Sequence, residues 1–304
     1  MRKVTDQNRP EETQARAARF IRHLRESADT EDRPTVMVLA FEGWNDAGGA
    51  ASSAVRSIAT AAEAELAERI DDEDYYDYQF TRPRVRRNGP HREIVWPSTK
   101  VYRAQPESAE MNLLLVSGVE PSFRWQSFTA ELLTRAAEND VSAIVLVGAL
   151  LADVPHTRPI PSSLSSEDAA LQEALDIDEP SYEGPTGIVG VLAHTADQAG
   201  IPAVSLWAAV PHYVGQAPSP KAQLALMRQL EDLLGLTLEV EEVAEDAEAW
   251  ERGVDDLAQE DSDIAEYVQR LEEASDTPNL PEASGEAIAR EFERYLRRRR
   301  PPEA

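Results

Sequence analysis

The sequence predicts an α/β protein: a mostly parallel, mixed sheet covered by helices on both faces, followed by a helical C-terminal appendage. Three observations carry this. Short apolar runs of strand length recur along the chain, and most feed a helix through a loop rich in Gly, Pro or polar residues, the pattern of a parallel sheet buried on both sides. An Asn-Gly pair between short β-rich runs marks an antiparallel excursion. After residue 238 the composition turns acidic and helical in spacing.

Residues 11–26 place Ala15, Ala18, Phe20, Ile21 and Leu24 on one helical face, and residues 27–34 form a polar connector. The unbroken apolar run 35–41 (TVMVLAF) is the first strand. It leads through Glu42-Gly-Trp-Asn-Asp-Ala-Gly-Gly49 into an alanine-rich helix expected to reach about Ile70. Short β-rich runs at 76–80, 93–96 and 101–104, with Asn88-Gly89 among them, read as the antiparallel excursion. The strand NLLLV (112–116) precedes a helix over 123–138, and AIVLV (143–147) precedes a long Pro-rich loop. The turn at 182–187 starts a helix over 188–199, and AVSL (203–206) leads on to a helix over 220–234. Helical spacing returns over 239–274 and 284–300. The chain therefore divides into an N-terminal arm and connector (1–34), an α/β core (35–238) and an acidic extension with an Arg-rich end (239–304).

Charge narrows the partners. The chain carries 56 acidic and 30 basic side chains, a formal charge of -26, which argues against nucleic acid and anionic membranes as partners, because phosphate affinity comes largely from Lys and Arg. The excess is uneven: residues 239–282 hold 17 acids against Arg252 and Arg270. Opposing them are Arg82, Arg84, Arg86, Arg87 and Arg92, and a second cluster at Arg290, Arg294 and Arg297 to Arg300. Such asymmetry fits pairing within the chain or between subunits, or solvated faces. With no cysteine, disulfides and thiolate chemistry are excluded. No apolar run is long enough to span a membrane and the first residues lack the apolar core of a secretory signal, so a cytoplasmic protein is expected.

Ligands of open α/β sheets favour the carboxyl ends of the strands, and unusual polar residues gather at those junctions. Glu42, Trp44, Asn45 and Asp46 follow the first strand; Glu120, Arg124 and Trp125 follow NLLLV; Asp153, His156 and Arg158 follow AIVLV; Trp207, His212 and Tyr213 follow AVSL. Asp46, His156, Arg158 and His212 are the candidate catalytic residues. The competing reading is local: Asn and Asp cap helices, Trp fills gaps and Pro sets turns. The segment GWNDAGGA fits neither a dinucleotide fingerprint nor a P-loop, having no Lys and flanking carboxylates that repel phosphate. The histidines lack the spacing that fixes two metal ligands on one helix, and no serine sits in a GxSxG elbow. No cofactor and no metal are expected.

Five stretches in order carry a family resemblance: AFEGWNDAG (40–48), YYDYQFTRP (75–83), ADVPHTRP (152–159), YEGPTGIVGVL (182–192), and SLWAAVPHYV with APSPKA (205–222). Together with the ending LPEASGEAIAREFERYLRRR they resemble the actinobacterial branch of the type-2 proteasome-assembly-chaperone family. The resemblance implies a three-layer α/β/α fold similar to nucleoside phosphorylases and peptidyl hydrolases. It also implies self-association into trimers and, as in archaeal and eukaryotic relatives, non-enzymatic assistance to assembly of the proteasome. It brings no catalytic residue. Many relatives end in a hydrophobic-Tyr-X tail that docks on the proteasome ring, whereas here Tyr295 is followed by nine residues. The leading expectation is thus a non-enzymatic chaperone or scaffold that associates with itself and binds a protein partner. The alternative is a hydrolase, phosphorylase or ligase with its site at the strand ends.

Overall fold

The computed structural model describes residues 9–71, 73–215 and 218–276. In chain order the elements are α1 (Arg9–Ala28), β1 (Thr35–Glu42), α2 (Ala50–Ala61), β2 (Glu65–Ile70), β3 (Arg84–Asn88), β4 (His91–Val95), β5 (Thr99–Ala104), β6 (Asn112–Val119) and α3 (Trp125–Glu138). There follow β7 (Val141–Ala152), β8 (Ser162–Ser165), α4 (Ala169–Leu175), α5 (Ile188–Gln198), β9 (Ala203–Pro211), α6 (Pro220–Leu234), α7 (Glu241–Glu260) and α8 (Ser262–Ser275).

Seven strands form one sheet in the order β2-β5-β6-β1-β7-β9-β8. Strand β1 pairs in parallel with β6 and β7, and β7 with β9; β5 and β8 run antiparallel to their neighbours. Strand β1 shows why the sheet is buried on both sides. Its alternate residues Val36, Val38 and Ala40 face one apolar layer with α1, α2, α4 and α6, while Met37, Leu39 and Phe41 face a second with α3 and α5. The result is α/β/α, with β1 central. Helix α1 joins it by burying Ala17, Phe20, Ile21 and Leu24. Helix α6 ends at Gly235, whose φ of 66° is the left-handed conformation that terminates helices, and α7 then packs on α6.

Several local expectations are corrected. The helix expected to reach Ile70 stops at Ala61; Glu63 takes a positive φ of 47° and residues 65–70 pair with β5 as an edge strand. Tertiary pairing overrides helix propensity there. Residues 76–80 form a turn, because Asp77 accepts the backbone N–H of Gln79 through its side chain and those of Phe80 and Thr81 through its carbonyl. The hairpin around Asn88-Gly89 is made by β3 and β4. The stretch expected as a Pro-rich loop contains β8 and α4, the latter capped by Asp168, which accepts from Leu171 N at 2.8 Å. The acidic run is two helices, divided where the Asp261 side chain accepts from Asp263 N and Ile264 N. The expected helix over 284–300, with Tyr295 and the Arg290 to Arg300 cluster, lies outside the described residues.

Candidate functional site

The carboxyl ends of β1, β6, β7 and β9 lie along one edge of the sheet, and the rim residues divide there into two groups. The first joins the loops after β1 and β6 to the start of α5. Glu120 Oε1 accepts from Asn45 Nδ2 and from the Ile188 backbone N–H, both at 2.9 Å. A carboxylate at a helix N-terminus meets otherwise unpaired N–H groups and the positive end of the helix dipole. Burial nonetheless raises the Glu120 pKa above its ordinary value. Gly187 is required at this join, since a Cβ there would overlap the Asn45 amide.

Asp46 belongs to the same loop and caps α2, its Oδ1 accepting from Ala51 N at 2.8 Å and Ser52 N at 3.2 Å. Desolvation raises its pKa, partly offset by hydrogen bonds involving Ser52 and Ala51. The Asn45 carbonyl accepts from Ala149 N, stitching this loop to β7. Asp46 therefore performs a structural task in a closed environment.

The second group lies beyond β7 and β9, and there the acidic helices come down onto the rim. His156 is fully buried, at 0% exposure. Its Nε2 lies 3.0 Å from Asp255 Oδ1 on α7, and its Nδ1 lies 2.7 Å from the Tyr213 hydroxyl. The Asp255 carboxylate only accepts, so Nε2 carries a proton; in the neutral ring Nδ1 then accepts from Tyr213. The Tyr213 hydroxyl also accepts the His156 backbone N–H at 2.8 Å. Burial pushes the Tyr213 pKa up to about 12, keeping the phenol protonated as that donation requires. Lys221 on α6 donates to the His156 carbonyl and pairs with Glu251 of α7 at 2.5 Å.

Arg158 makes a two-pronged contact with Asp276, Nε to Oδ1 at 2.9 Å and Nη2 to Oδ2 at 2.8 Å, and reaches Glu272 of α8 at 3.2 Å. Its pKa is raised, first by hydrogen bonding to Asp276, whose own pKa is lowered by the same contact. Thr157 also donates to Glu272. His212 lies 3.2 Å from Asp153, which in turn accepts from Tyr267 of α8 at 3.0 Å. The rings of His212, Tyr213 and Tyr267 meet edge to face.

Of the four candidates, then, His156, Arg158 and His212 are gathered under α7 and α8, while Asp46 is tied to α2. The appendage residues that complete the cluster, Asp255, Tyr267, Glu272 and Asp276, escape sequence reasoning because the acids lie in a run of like charges where none stands out. Among the described residues no group of three or more His, Asp or Glu is placed to hold a metal ion, and no helix is long and apolar enough to cross a membrane. A cavity of about 530 Å³ lined by Ile21, Arg22, Arg25 and Glu110 lies at the opposite, amino-terminal edge of the sheet.

Comparison with known proteins adds to this geometry. The model of the PAC2 family matches residues 40–258, a span that runs from β1 into α7. A PAC2 family protein from Streptomyces avermitilis is similar in structure with a TM-score of 0.72 and 51% identity, over 77% of this chain and 99% of its own. A Mycobacterium tuberculosis proteasome-assembly chaperone homologue is similar at TM-score 0.69 and 46% identity, over 77% and 99%. Pyrococcus furiosus PbaA, an archaeal homologue of proteasome-assembly chaperone, shares the fold at TM-score 0.54 and 17% identity, over 81% and 96%. Comparison with curated proteins gave no match.

Proposed function

Because this chain belongs to the PAC2 family, we propose that it acts as a non-enzymatic assembly chaperone or scaffold, a cytoplasmic homo-oligomer of trimeric size that binds protein partners. The observation that supports this most is the engagement of the rim by the chain's own helices. A catalytic constellation directs its polar groups toward a space a substrate can share. Here His156, Arg158 and His212 instead meet Asp255, Asp276 and Asp153, and Asp46 meets helix N–H groups. These contacts hold a surface in shape. The description of the 46% identical mycobacterial relative as a proteasome-assembly chaperone homologue points the same way.

The test is crosslinking in a native lysate followed by identification of what is captured, beside titration calorimetry of the purified protein. The expected result is enrichment of subunits of a multi-subunit complex over an unrelated acidic control protein, with no heat on adding nucleosides, phosphate or divalent metals. A heat signal from one of those small molecules, with no protein enriched, overturns the proposal in favour of an enzyme.

A further inference from the structure

Among the described residues the β3–β4 hairpin is exposed along nearly its whole length. It pairs with itself in the register Arg84↔Val95 to Asn88↔His91, apart from the seven-stranded sheet. An isolated two-stranded ribbon is marginal in water and gains stability only when a face is packed. The pleat puts the cross-strand pairs Val85↔Ile94 and Arg87↔Arg92 on one face. Val85 and Ile94 are 58% and 57% exposed. Arg87 and Arg92 are like charges set directly opposite each other, a destabilising arrangement, and neither has an ion pair among the described residues. On the other face Arg86 is held by Glu93 at 2.7 Å. The unpartnered face thus offers an apolar pair beside two uncompensated guanidinium groups. Its complement is an apolar side chain among carboxylates.

Such a surface lies on the outer side of α7. Val254 and Ala258 are buried and Asp255 reaches His156, whereas Leu257 is 59% exposed. Asp256 adjoins Leu257 and Glu260 lies one turn on, both exposed and without an ion pair among the described residues. Gly253, one turn before, leaves open space where a side chain would stand.

The two surfaces lie at separate places along the strand-end edge of one molecule. The hairpin springs from between β2 and β5, at the strand-end edge where β2 finishes and β5 begins, while α7 covers the loops after β7 and β9. Four strand spacings separate β5 from β9, about 19 Å. We infer that the hairpin of one copy docks on α7 of a second copy, with Val85 and Ile94 against Leu257, and Arg87 and Arg92 against Asp256 and Glu260. The contact joins unlike surfaces, and each copy carries one of each, so repetition closes a ring when the rotation between copies divides a full turn. This inference rests on the self-association proposed above and assigns its interface.

The absence of cysteine gives a clean test. Full-length V85C and L257C, carrying different tags, are mixed and oxidised with diamide; the expected product is a disulfide-linked pair bearing both tags. In parallel, light scattering compares the wild type with R87E/R92E, with D256R/E260R and with all four changes combined. Each pair of reversals is expected to raise the dissociation constant of the assembly about tenfold or more, and the combination, which restores opposite charges, is expected to recover it. Because rescue requires a folded chain, misfolding of one variant cannot mimic that result. A wild type that is monomeric overturns both self-association and this interface. A wild-type assembly that survives every reversal, or an L257C that crosslinks to a cysteine placed at residue 295 but not to V85C, leaves self-association standing and overturns the interface.

Discussion

The His156 ring and the Asp255 carboxylate meet at 3.0 Å across 99 residues of sequence, joining the loop after β7 to the acidic helix α7. Through Tyr213, on the turn after β9, the same ring is tied to the core. The two helices, which carry 13 acids against Arg252 and Arg270, are therefore attached by specific, directional contacts.

Removing the acceptor leaves a buried N–H unpaired. Asp255→Ala is expected to destabilise the protein by about 1–3 kcal/mol, while Asp255→Asn, whose amide oxygen still accepts, retains most of the stability. Urea unfolding of the two variants measures the difference, and equal losses would contradict the assigned hydrogen bond.

Tyr213→Phe removes the hydroxyl that accepts the His156 backbone N–H. A loss of about 1–3 kcal/mol is expected, with faster hydrogen exchange in residues 152–158 and α7 than in β1. Unchanged exchange in that loop would show that the hydroxyl does not hold it.

Acid should act oppositely on the core and on α8. Burial raises Asp46 above 3.8 and Glu120 above 4.5, so the folded chain binds these protons more readily than the unfolded one, and their contribution to stability grows as pH falls through the raised values. Asp276 is lowered by Arg158; its contribution is present above 3.8 and is lost as pH falls through its folded value below 3.8. Hydrogen exchange against pH is expected to show α8 loosening at the acid end, and Arg158→Ala should abolish that dependence. Asp46→Asn should flatten the acid-side rise of the core, as followed by denaturant unfolding.

Gly187→Ala drives a methyl group into the Asn45 amide and is expected to cost about 1–3 kcal/mol. Thermal unfolding checks this. An unchanged midpoint would mean that the Asn45–Glu120 join gives way freely.

The strands at 35–41, 112–116, 143–147 and 203–206 were legible because unbroken apolar runs of that length, bounded by loop residues, have few alternatives to a buried strand. Helix α6 was legible from Pro220 at its start, Gly235 at its end and a clean apolar face between. Strand β2 was not, since ELAERI has the composition of a helix and becomes a strand only by pairing with β5. Strand β8 (SSLS) likewise carries no signal beyond its partner β9. At the rim, the chemistry-bearing residues on the core side could be named from their place after strands. What they touch could not, because 17 acids in 44 residues offer many equivalent partners and only the docked angle of α7 and α8 selects among them.

The closure of the rim by α7 and α8 also sets an affinity scale. Anything that competes for the buried His156 must wait for the helices to lift, so its apparent dissociation constant equals the intrinsic one divided by the fraction of molecules with the rim uncovered. If one molecule in a hundred is open, a micromolar ligand behaves as one of about 100 μM. Changes at Asp255 or Asp276 that never touch such a ligand would then tighten its binding by enlarging the open fraction.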